Sequence, residues 1–184
     1  MANFRDAHKI TAAHEGGYAN HIADTGGETY KGIARKHWPH WPGWGSIDAI
    51  KLKVGGAAAN INASAAVDLT LQKHVESFYK KEFWDKNKLD AFTSQAVATE
   101  VYDTGVNMGT AVAAKFLQEA MVLLGENIAI DGAIGPVTIA KVNAYPSPTR
   151  LVKLLNLLQG QKYLAIVRNN PTQKVFLNGW LNRV

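Results

Sequence analysis

Apolar residues recur at helical spacing along most of this chain, which predicts a mainly α-helical protein. A turn near residue 131 leads into a further helix, whose first position suits Pro136. Ser64 is the expected N-cap of one helix, and Thr93 or Ser94 begins another. The aromatic tail at residues 176–180 is expected to pack back onto the body. The remaining predicted helices cover residues 4–15, 64–82, 93–106, 110–124 and 149–168.

Residues 18–46 interrupt the helical pattern and are predicted to be irregular, with short strands. Trp38, Trp41 and Trp44 recur at every third position there, but the intervening prolines argue against a regular helix. Exposed rings on such a loop would stack on sugars, whereas a small aromatic cluster would anchor the loop. The second interpretation is favoured, because exposed tryptophan is unusual unless it is used. A flexible connection is expected at residues 55–59.

The composition is that of an ordinary globular protein. Of 184 residues, 47% are hydrophobic and 19% are charged, which suggests one compact domain or a domain with a small lobe. The chain has no cysteine, so disulfides, thiolate catalysis and cysteine-based zinc sites are excluded. No run approaches the ~18 apolar residues of a membrane span, so stable membrane insertion is not expected. The formal charge of +5 favours polyanionic partners.

The first candidate for chemistry is Glu15, which ends the first predicted helix and is followed by Gly16 and Gly17. The negative end of the helix dipole, together with any burial, favours the protonated form that a general acid needs. Two residues without side chains would let a polymer approach closely. The alternative is a surface glutamate in the last turn of an ordinary helix, and position alone favours that alternative.

Asp24 and Thr29 lie in the glycine-rich stretch that follows. Glycoside hydrolysis needs a proton donor and a second group that activates water or stabilises the cationic transition state. A carboxylate and a hydroxyl facing Glu15 would suit an inverting mechanism, and Glu28 lies in the same turn. Asp24 is equally explained as a turn residue, and Thr29 as a strand position.

Metal and cofactor chemistry find no support in the sequence. His14 and Glu15 begin like the zinc-protease pattern His-Glu-x-x-His, but position 18 is tyrosine. His37 and His40 flank a Trp-Pro pair, which is a poor frame for a shared metal. We therefore expect no metal and no cofactor.

The order of Glu15, Asp24 and Thr29 resembles the Glu/Asp/Thr signature of phage-type lysozymes, although the last interval is one residue shorter. The chain resembles more closely the glycoside hydrolase family 108 N-acetylmuramidases. Three motifs of that family lie in order at residues 15–18 (Glu-Gly-Gly-Tyr), 24–33 (Asp-x-Gly-Gly-x-Thr-x-x-Gly-Ile) and 83–85 (Phe-Trp-Asp). The second half resembles the predicted peptidoglycan-binding region that accompanies this family, at residues 102–109, 117–118, 131–138 and 179–184.

This resemblance implies a lysozyme-like helical body with a small irregular or β-containing lobe near the N-terminus. It implies a muramidase region at residues 1–92 and a helical peptidoglycan-binding region at residues 93–184, packed into the same globule. The implied reaction is hydrolysis of the β-1,4 bond between N-acetylmuramic acid and N-acetylglucosamine in bacterial peptidoglycan. Glu15 would be the acid, and Asp24 and Thr29 would assist it.

Some residues have a structural explanation beside the functional one. Tyr18, Tyr30 and Asn107 are candidates for substrate contact, and a buried capping role is equally open for Asn107. The pattern at residues 131–138 is explained by a turn that starts a helix, which we favour over a wall contact.

Three other functions stay open. A lytic transglycosylase would break the same bond without water, although Asp24 favours hydrolysis. A non-catalytic wall-binding module is the second alternative. Nucleic-acid binding rests on charge alone, lacks a recognisable motif and is not expected. Because no signal peptide is visible, we expect synthesis in the cytoplasm and access to the wall through a holin-type lesion or a secretion apparatus.

Overall fold

The chain is mostly helical in a computed structural model, which describes residues 1–12, 16–20 and 27–184. A small three-stranded antiparallel sheet lies near the N-terminus, so the predicted fold class is confirmed. The strands are β1 (Tyr18–Ala19), β2 (Thr29–Tyr30) and β3 (Ile33–Ala34). The helices are α1 (Phe4–Thr11), α2 (Gly43–Val54), α3 (Ala58–Val67), α4 (Leu69–Tyr79), α5 (Gln95–Met108), α6 (Thr110–Leu123), α7 (Pro136–Ala144), α8 (Pro148–Asn169) and α9 (Leu177–Leu181).

The chain divides into two compact units. Residues 9–80 form what we call the N-terminal unit, and residues 1–8 with 81–184 form the C-terminal unit. A π-helical segment covers Lys80–Asp85, and 3₁₀ turns cover Leu89–Ala91 and Pro171–Phe176. Within the described ranges, no helix combines the length and the apolar character that crossing a membrane requires.

The sheet of the N-terminal unit is ordered β1-β2-β3. Lys31 and Gly32 connect β2 to β3, and both have left-handed backbone angles, with φ of 44° and 75°. Such a two-residue turn matches the twist of antiparallel strands. The hydroxyl of Tyr79 on α4 donates to the Lys31 carbonyl at 2.6 Å and thereby ties the turn to the helices.

Helices α2, α3 and α4 supply the rest of this unit's core, with Ile47, Ile61 and Leu71 fully buried. The single helix predicted over residues 64–82 is wrong. Ser64 lies inside α3, and the break comes at Asp68, whose side chain accepts the Leu71 amide at 2.9 Å and caps α4. The alanine-rich α3 has high helix propensity but few large apolar residues, so it shows no clear period.

The tryptophan-rich loop forms an aromatic cluster, as the favoured interpretation predicted. Trp41 and Trp44 are buried and meet edge to face at 5.1 Å, and Trp38 packs against Phe78 at 4.9 Å. A Cβ atom at Gly43 would lie 2.2 Å from the Trp41 ring, so this position requires glycine. Helix α2 begins at Gly43, within the region predicted to be irregular.

The helices of the C-terminal unit agree with the predicted ones. Ser94 caps α5 by accepting the Val97 amide, and Pro136 is the first residue of α7. Helices α5, α6 and α8 pack on one another. The Trp180 ring stacks on Tyr163 at 5.1 Å, which confirms that the tail packs back onto the body.

The turn at residues 131–135 is held by Gln118 on α6. The Gln118 amide donates to Asp131 Oδ1 at 2.7 Å and accepts from the Gly132 backbone at 2.8 Å. The Ala133 amide also donates to Asp131, and this bond lowers the pKa of the carboxyl group. These contacts support the structural explanation of the motif.

Candidate active site

The two carboxylates predicted to act on the substrate, Glu15 and Asp24, lie outside the described residues. The chain directly after Glu15 is described, and helix α3 holds it. Asn62 Oδ1 accepts the Tyr18 amide at 2.6 Å, and the Gly17 carbonyl accepts the Lys31 amide at 3.2 Å. The start of β1 therefore has a defined position relative to α3 and the β2–β3 turn.

Because of this anchoring, a side chain at position 17 would displace Asn62 from its bond to the Tyr18 amide. A Cβ atom there would lie 2.4 Å from Asn62 Oδ1, closer than any real contact. At Gly16, no described atom lies within 4 Å of the added carbon. The sequence suggested that both glycines leave room for a polymer. For Gly17 the room is filled by Asn62.

The next feature is a mostly buried carboxylate, Glu28, which the sequence analysis placed in the glycine-rich turn without a role. Its side chain is 11% exposed and accepts from Tyr18 Oη at 2.8 Å. Lys51 Nζ lies 2.8 Å from one oxygen, and Arg35 Nε lies 3.0 Å from the other. Arg35 also bonds Asp48 at 2.7 Å. Glu28, which directly precedes β2, thereby links Tyr18 of β1 to α2.

The charges around Glu28 affect its neighbours. Burial, followed by the hydrogen bond to Glu28, raises the pKa of Tyr18. The hydrogen bond to Glu28 raises the pKa of Lys51, so this lysine stays cationic. The Arg35 guanidinium lies 4.5 Å above the Trp44 ring, which extends the network to the aromatic cluster. The result is a network of charged and aromatic groups that links the sheet to α2.

Thr29 lies in β2, as the structural explanation of this residue predicted. It pairs with Ala19 of β1 and Ala34 of β3. Successive strand residues face opposite sides of a sheet. Thr29 therefore shares its half-buried face with the two alanines, while Tyr18 and Tyr30 face the core.

Tyr30 and Asn107, two of the candidates for substrate contact, have partners inside the protein. Tyr30 is 2% exposed, and its hydroxyl accepts from the Gln72 amide at 3.0 Å. Burial raises the pKa of Tyr30. Asn107 lies on α5 in the C-terminal unit and donates to the Tyr163 hydroxyl. The structure gives both side chains a packing role.

The C-terminal unit contains a second cluster of buried polar groups, whose contacts with one another the sequence did not predict. Asp103 on α5 pairs with Arg183 at 2.8 Å, and each side chain is about a tenth exposed. Thr104 bonds the buried Gln159 of α8 at 2.8 Å. Burial, followed by the charge of Asp103, raises the pKa of Glu100 to about 8. Asp103, Thr104 and Arg183 lie in the stretches that resemble the peptidoglycan-binding region, but the contacts join three separate segments and no spacing predicts them.

Most of the described carboxylates of the N-terminal unit already have structural partners. Glu28 is held by two cations, Asp48 by Arg35, and Asp68 by the first turn of α4. Glu76 is exposed on α4. Among the described residues, no group of three or more histidine or acidic side chains is arranged to hold a metal ion. The expected absence of a metal or cofactor stays a prediction.

Comparison with known families assigns the chain. The sequence profile described as Glycosyl hydrolase 108 matches residues 8–109, which is more than half of the protein. The chain belongs to glycosyl hydrolase family 108. The profile described as Predicted Peptidoglycan domain matches residues 112–184. This family 108 protein is therefore a glycoside hydrolase, and its partner is peptidoglycan.

A solved structure agrees with this assignment. The family 108 chain is similar to the structure of SagA from Brucella abortus, with 25% sequence identity and a TM-score of 0.62. The alignment covers 98% of this chain and 88% of the SagA chain. No protein with a curated description matches the chain significantly.

Proposed function

We propose that this family 108 hydrolase cleaves the β-1,4 bond between N-acetylmuramic acid and N-acetylglucosamine. Glu15 donates a proton to the leaving oxygen, and Asp24 with Thr29 orients the attacking water. The observation that carries the proposal is the family match over residues 8–109, which contains all three residues. Residues 1–92 carry the cleavage chemistry in this proposal, and residues 93–184 attach the enzyme to the wall.

The arrangement of the described carboxylates supports Glu15 as the acid. Glu28 accepts hydrogen bonds from the Tyr18 hydroxyl and from Lys51 and forms an ion pair with Arg35, whereas a general acid must present its proton to the substrate. Asp48 pairs with Arg35, and Asp68 accepts a hydrogen bond from the first turn of α4. A structural role therefore accounts for each of these three groups, and none of them competes with Glu15.

Chain connectivity supports a shared location for the proposed groups. Glu15 lies three positions before Tyr18 in the sequence. Tyr18 pairs directly with Tyr30, the neighbour of Thr29. Asp24 belongs to the connection between the same two strands. The acid and the water-orienting groups thus all belong to segments attached to one anchored hairpin.

Product analysis tests the reaction. Purified peptidoglycan is digested in H₂¹⁸O, and the soluble fragments are analysed by mass spectrometry. Hydrolysis of the proposed bond gives fragments with a reducing muramic acid end that carries one ¹⁸O atom. Anhydro-muramic acid ends would show a lytic transglycosylase, and reducing glucosamine ends would show that the other glycosidic bond is cleaved. Wall binding without any fragment would contradict the catalytic proposal.

The route to the wall is part of the same proposal. An enzyme made in the cytoplasm reaches peptidoglycan through a holin-type membrane lesion or through a secretion apparatus. Cell lysis that needs a co-expressed pore-forming protein would support the first route. Appearance of the enzyme in the medium of intact cells would support the second.

A further inference from the structure

The positive charge of this protein is concentrated at one end of the sequence. Residues 132–184 contain seven lysine and arginine residues and no aspartate or glutamate. The whole chain has 20 basic and 15 acidic residues, so residues 1–131 carry 13 basic and 15 acidic ones. The entire excess of positive charge therefore lies in this segment, which includes α7, α8, α9 and the tail. A charge asymmetry of this kind indicates an anionic partner.

Part of this charge lies on one exposed stripe of helix α8. The same stripe also contains two leucines. Residues three or four positions apart share one face of a helix. Six of the exposed positions of α8 follow this spacing. Leu157 is 68% exposed and Leu164 is 42% exposed, although leucine is usually buried. The stripe consists of Arg150, Lys153, Leu157, Gln161, Leu164 and Arg168.

The C-terminal tail turns this stripe into a groove. Leu181 and Val184, which are 48% and 43% exposed, lie along α8 beside Leu157 and Leu164. The groove has a volume of about 740 Å³, and Gly160 and Lys153 are among the residues that line it. Exposed aliphatic side chains around a concave surface mark a binding site.

The residues that line the groove favour one of three anionic ligands: a glycan, a peptide or a lipid. Sugars are bound by stacking on aromatic rings and by hydrogen bonds, but the described residues that line this groove include no aromatic ring. A peptide would need partners for its amide groups. The groove offers few, and Asn156, with its amide nitrogen facing α5, already bonds Glu100 at 2.8 Å. A hydrocarbon chain with an anionic headgroup needs only apolar walls and nearby cations.

We propose that the stripe and groove of α8 and the C-terminal tail bind the surface of a membrane that contains anionic phospholipid. The leucines and Val184 contact acyl chains, and Arg150, Lys153 and Arg168 lie at the level of the phosphates. The enzyme lies on the membrane and does not cross it. This surface would hold the hydrolase at the membrane face next to the wall, and the proposal does not depend on which glycosidic bond is cleaved.

Vesicle sedimentation with the full-length protein tests the proposal. Vesicles of phosphatidylglycerol and phosphatidylcholine are compared with vesicles of phosphatidylcholine alone, at low and at raised salt. The wild type should bind the anionic vesicles at least tenfold more tightly, and salt should weaken this binding. The double variant Leu157→Asn/Leu164→Asn and the variant Lys153→Glu should each bind the anionic vesicles about fivefold or more weakly than the wild type.

Matched controls come from the N-terminal unit. Leu52 and Leu69 are 91% and 76% exposed and do not line the groove, so Leu52→Asn/Leu69→Asn changes two exposed leucines outside its lining. Lys53→Glu is the control for charge. These variants should bind vesicles like the wild type, and thermal melting should show that all variants are folded.

Three results would overturn the proposal. In the first, the wild type binds anionic and neutral vesicles equally. In the second, the groove variants lose binding to purified peptidoglycan but keep binding to vesicles, which would assign the groove to the wall. In the third, sedimentation velocity shows a dimer that only the groove variants dissociate, which would assign the groove to a second copy of the chain.

Discussion

Asn62 Oδ1 accepts a 2.6 Å hydrogen bond from the backbone amide of Tyr18, three residues after Glu15. This contact joins α3 to the first strand and leaves no room for a side chain at Gly17. The segment that carries the proposed acid is thus anchored at its C-terminal end by a side chain 44 positions away. Accurate placement of a catalytic group depends on such supports.

Gly17→Ala should therefore impair the enzyme, because the added carbon would collide with Asn62 and displace β1. We expect a loss of at least about tenfold in the rate of peptidoglycan solubilisation, against less than about threefold for Gly16→Ala. Asn62→Ala removes the colliding atoms. The double variant Gly17→Ala/Asn62→Ala should then be no slower than Asn62→Ala alone. If the double variant instead loses as much rate as the two single variants combined, the collision between position 17 and Asn62 is not the cause of the loss.

Glu28→Gln should destabilise the protein, because it leaves Lys51 and Arg35 without their shared counter-charge. The side chain is 11% exposed, so we expect a decrease of about 1–3 kcal/mol in the free energy of unfolding. Asp48→Asn is the control. It removes a contact of Arg35 that is half exposed, and it should cost less than about 0.5 kcal/mol. Urea unfolding measures both, and equal effects would contradict the central role of Glu28.

Arg183→Met should also lower the free energy of unfolding, but for a different reason. It leaves Asp103 buried without its counter-charge, because Arg183 bonds Oδ1 and Asp103 Oδ2 has no hydrogen-bond donor among the described residues. We expect a loss of about 3–5 kcal/mol in urea unfolding. The double variant Asp103→Asn/Arg183→Met should recover more than half of that loss, since no charge stays buried. A double variant as unstable as Arg183→Met would show that the arginine acts through packing.

Glu100 predicts a pH dependence of stability. Its pKa is about 8 in the folded protein and 4.5 when unperturbed, because burial and Asp103 disfavour the charged form. Below pH 4.5, the carboxyl group is protonated in both the folded and the unfolded protein. The stability that the neutral Glu100 allows is then fully present. As the pH rises from 4.5 to 8, only the unfolded state releases the proton, so the free energy of unfolding falls.

The expected slope from Glu100 is about 1.4 kcal/mol per pH unit at its steepest. Glu100→Gln keeps the shape and cannot ionise, so it should remove this slope and be more stable than the wild type at pH 8. Urea unfolding across the pH range, with both proteins in the same buffers, gives the difference. Parallel curves for the two proteins would show that Glu100 is not responsible.

The helices of the C-terminal unit could be predicted because their local signals agree. Helices α6 and α8 carry large apolar residues at helical spacing, α5 has Ser94 as a cap, and α7 begins with Pro136. The N-terminal unit was harder to predict. Alanine-rich α3 has no amphipathic period, and its separation from α4 depends on a single capping residue, Asp68.

The motifs of the candidate site could be found in the sequence, but their supports could not. Glu28 belongs to a recognisable motif, yet its role depends on Arg35 and Lys51, which lie on other elements. The same is true of Asn62, whose contact with Tyr18 exists only in the folded chain. Sequence patterns identify residues that carry chemistry. The contacts that hold such residues come from packing between distant segments.

The central claim is that Glu15 supplies the proton for cleavage of the glycan strand. Glu15→Gln keeps the shape of the side chain and removes the acid, and Glu76→Gln changes an exposed glutamate of the same unit as a control. The rate of release of reducing muramic acid ends from purified peptidoglycan is measured for each protein. We predict that Glu15→Gln loses at least about a hundredfold in rate while Glu76→Gln matches the wild type. A folded Glu15→Gln variant that cleaves at the wild-type rate would contradict the account.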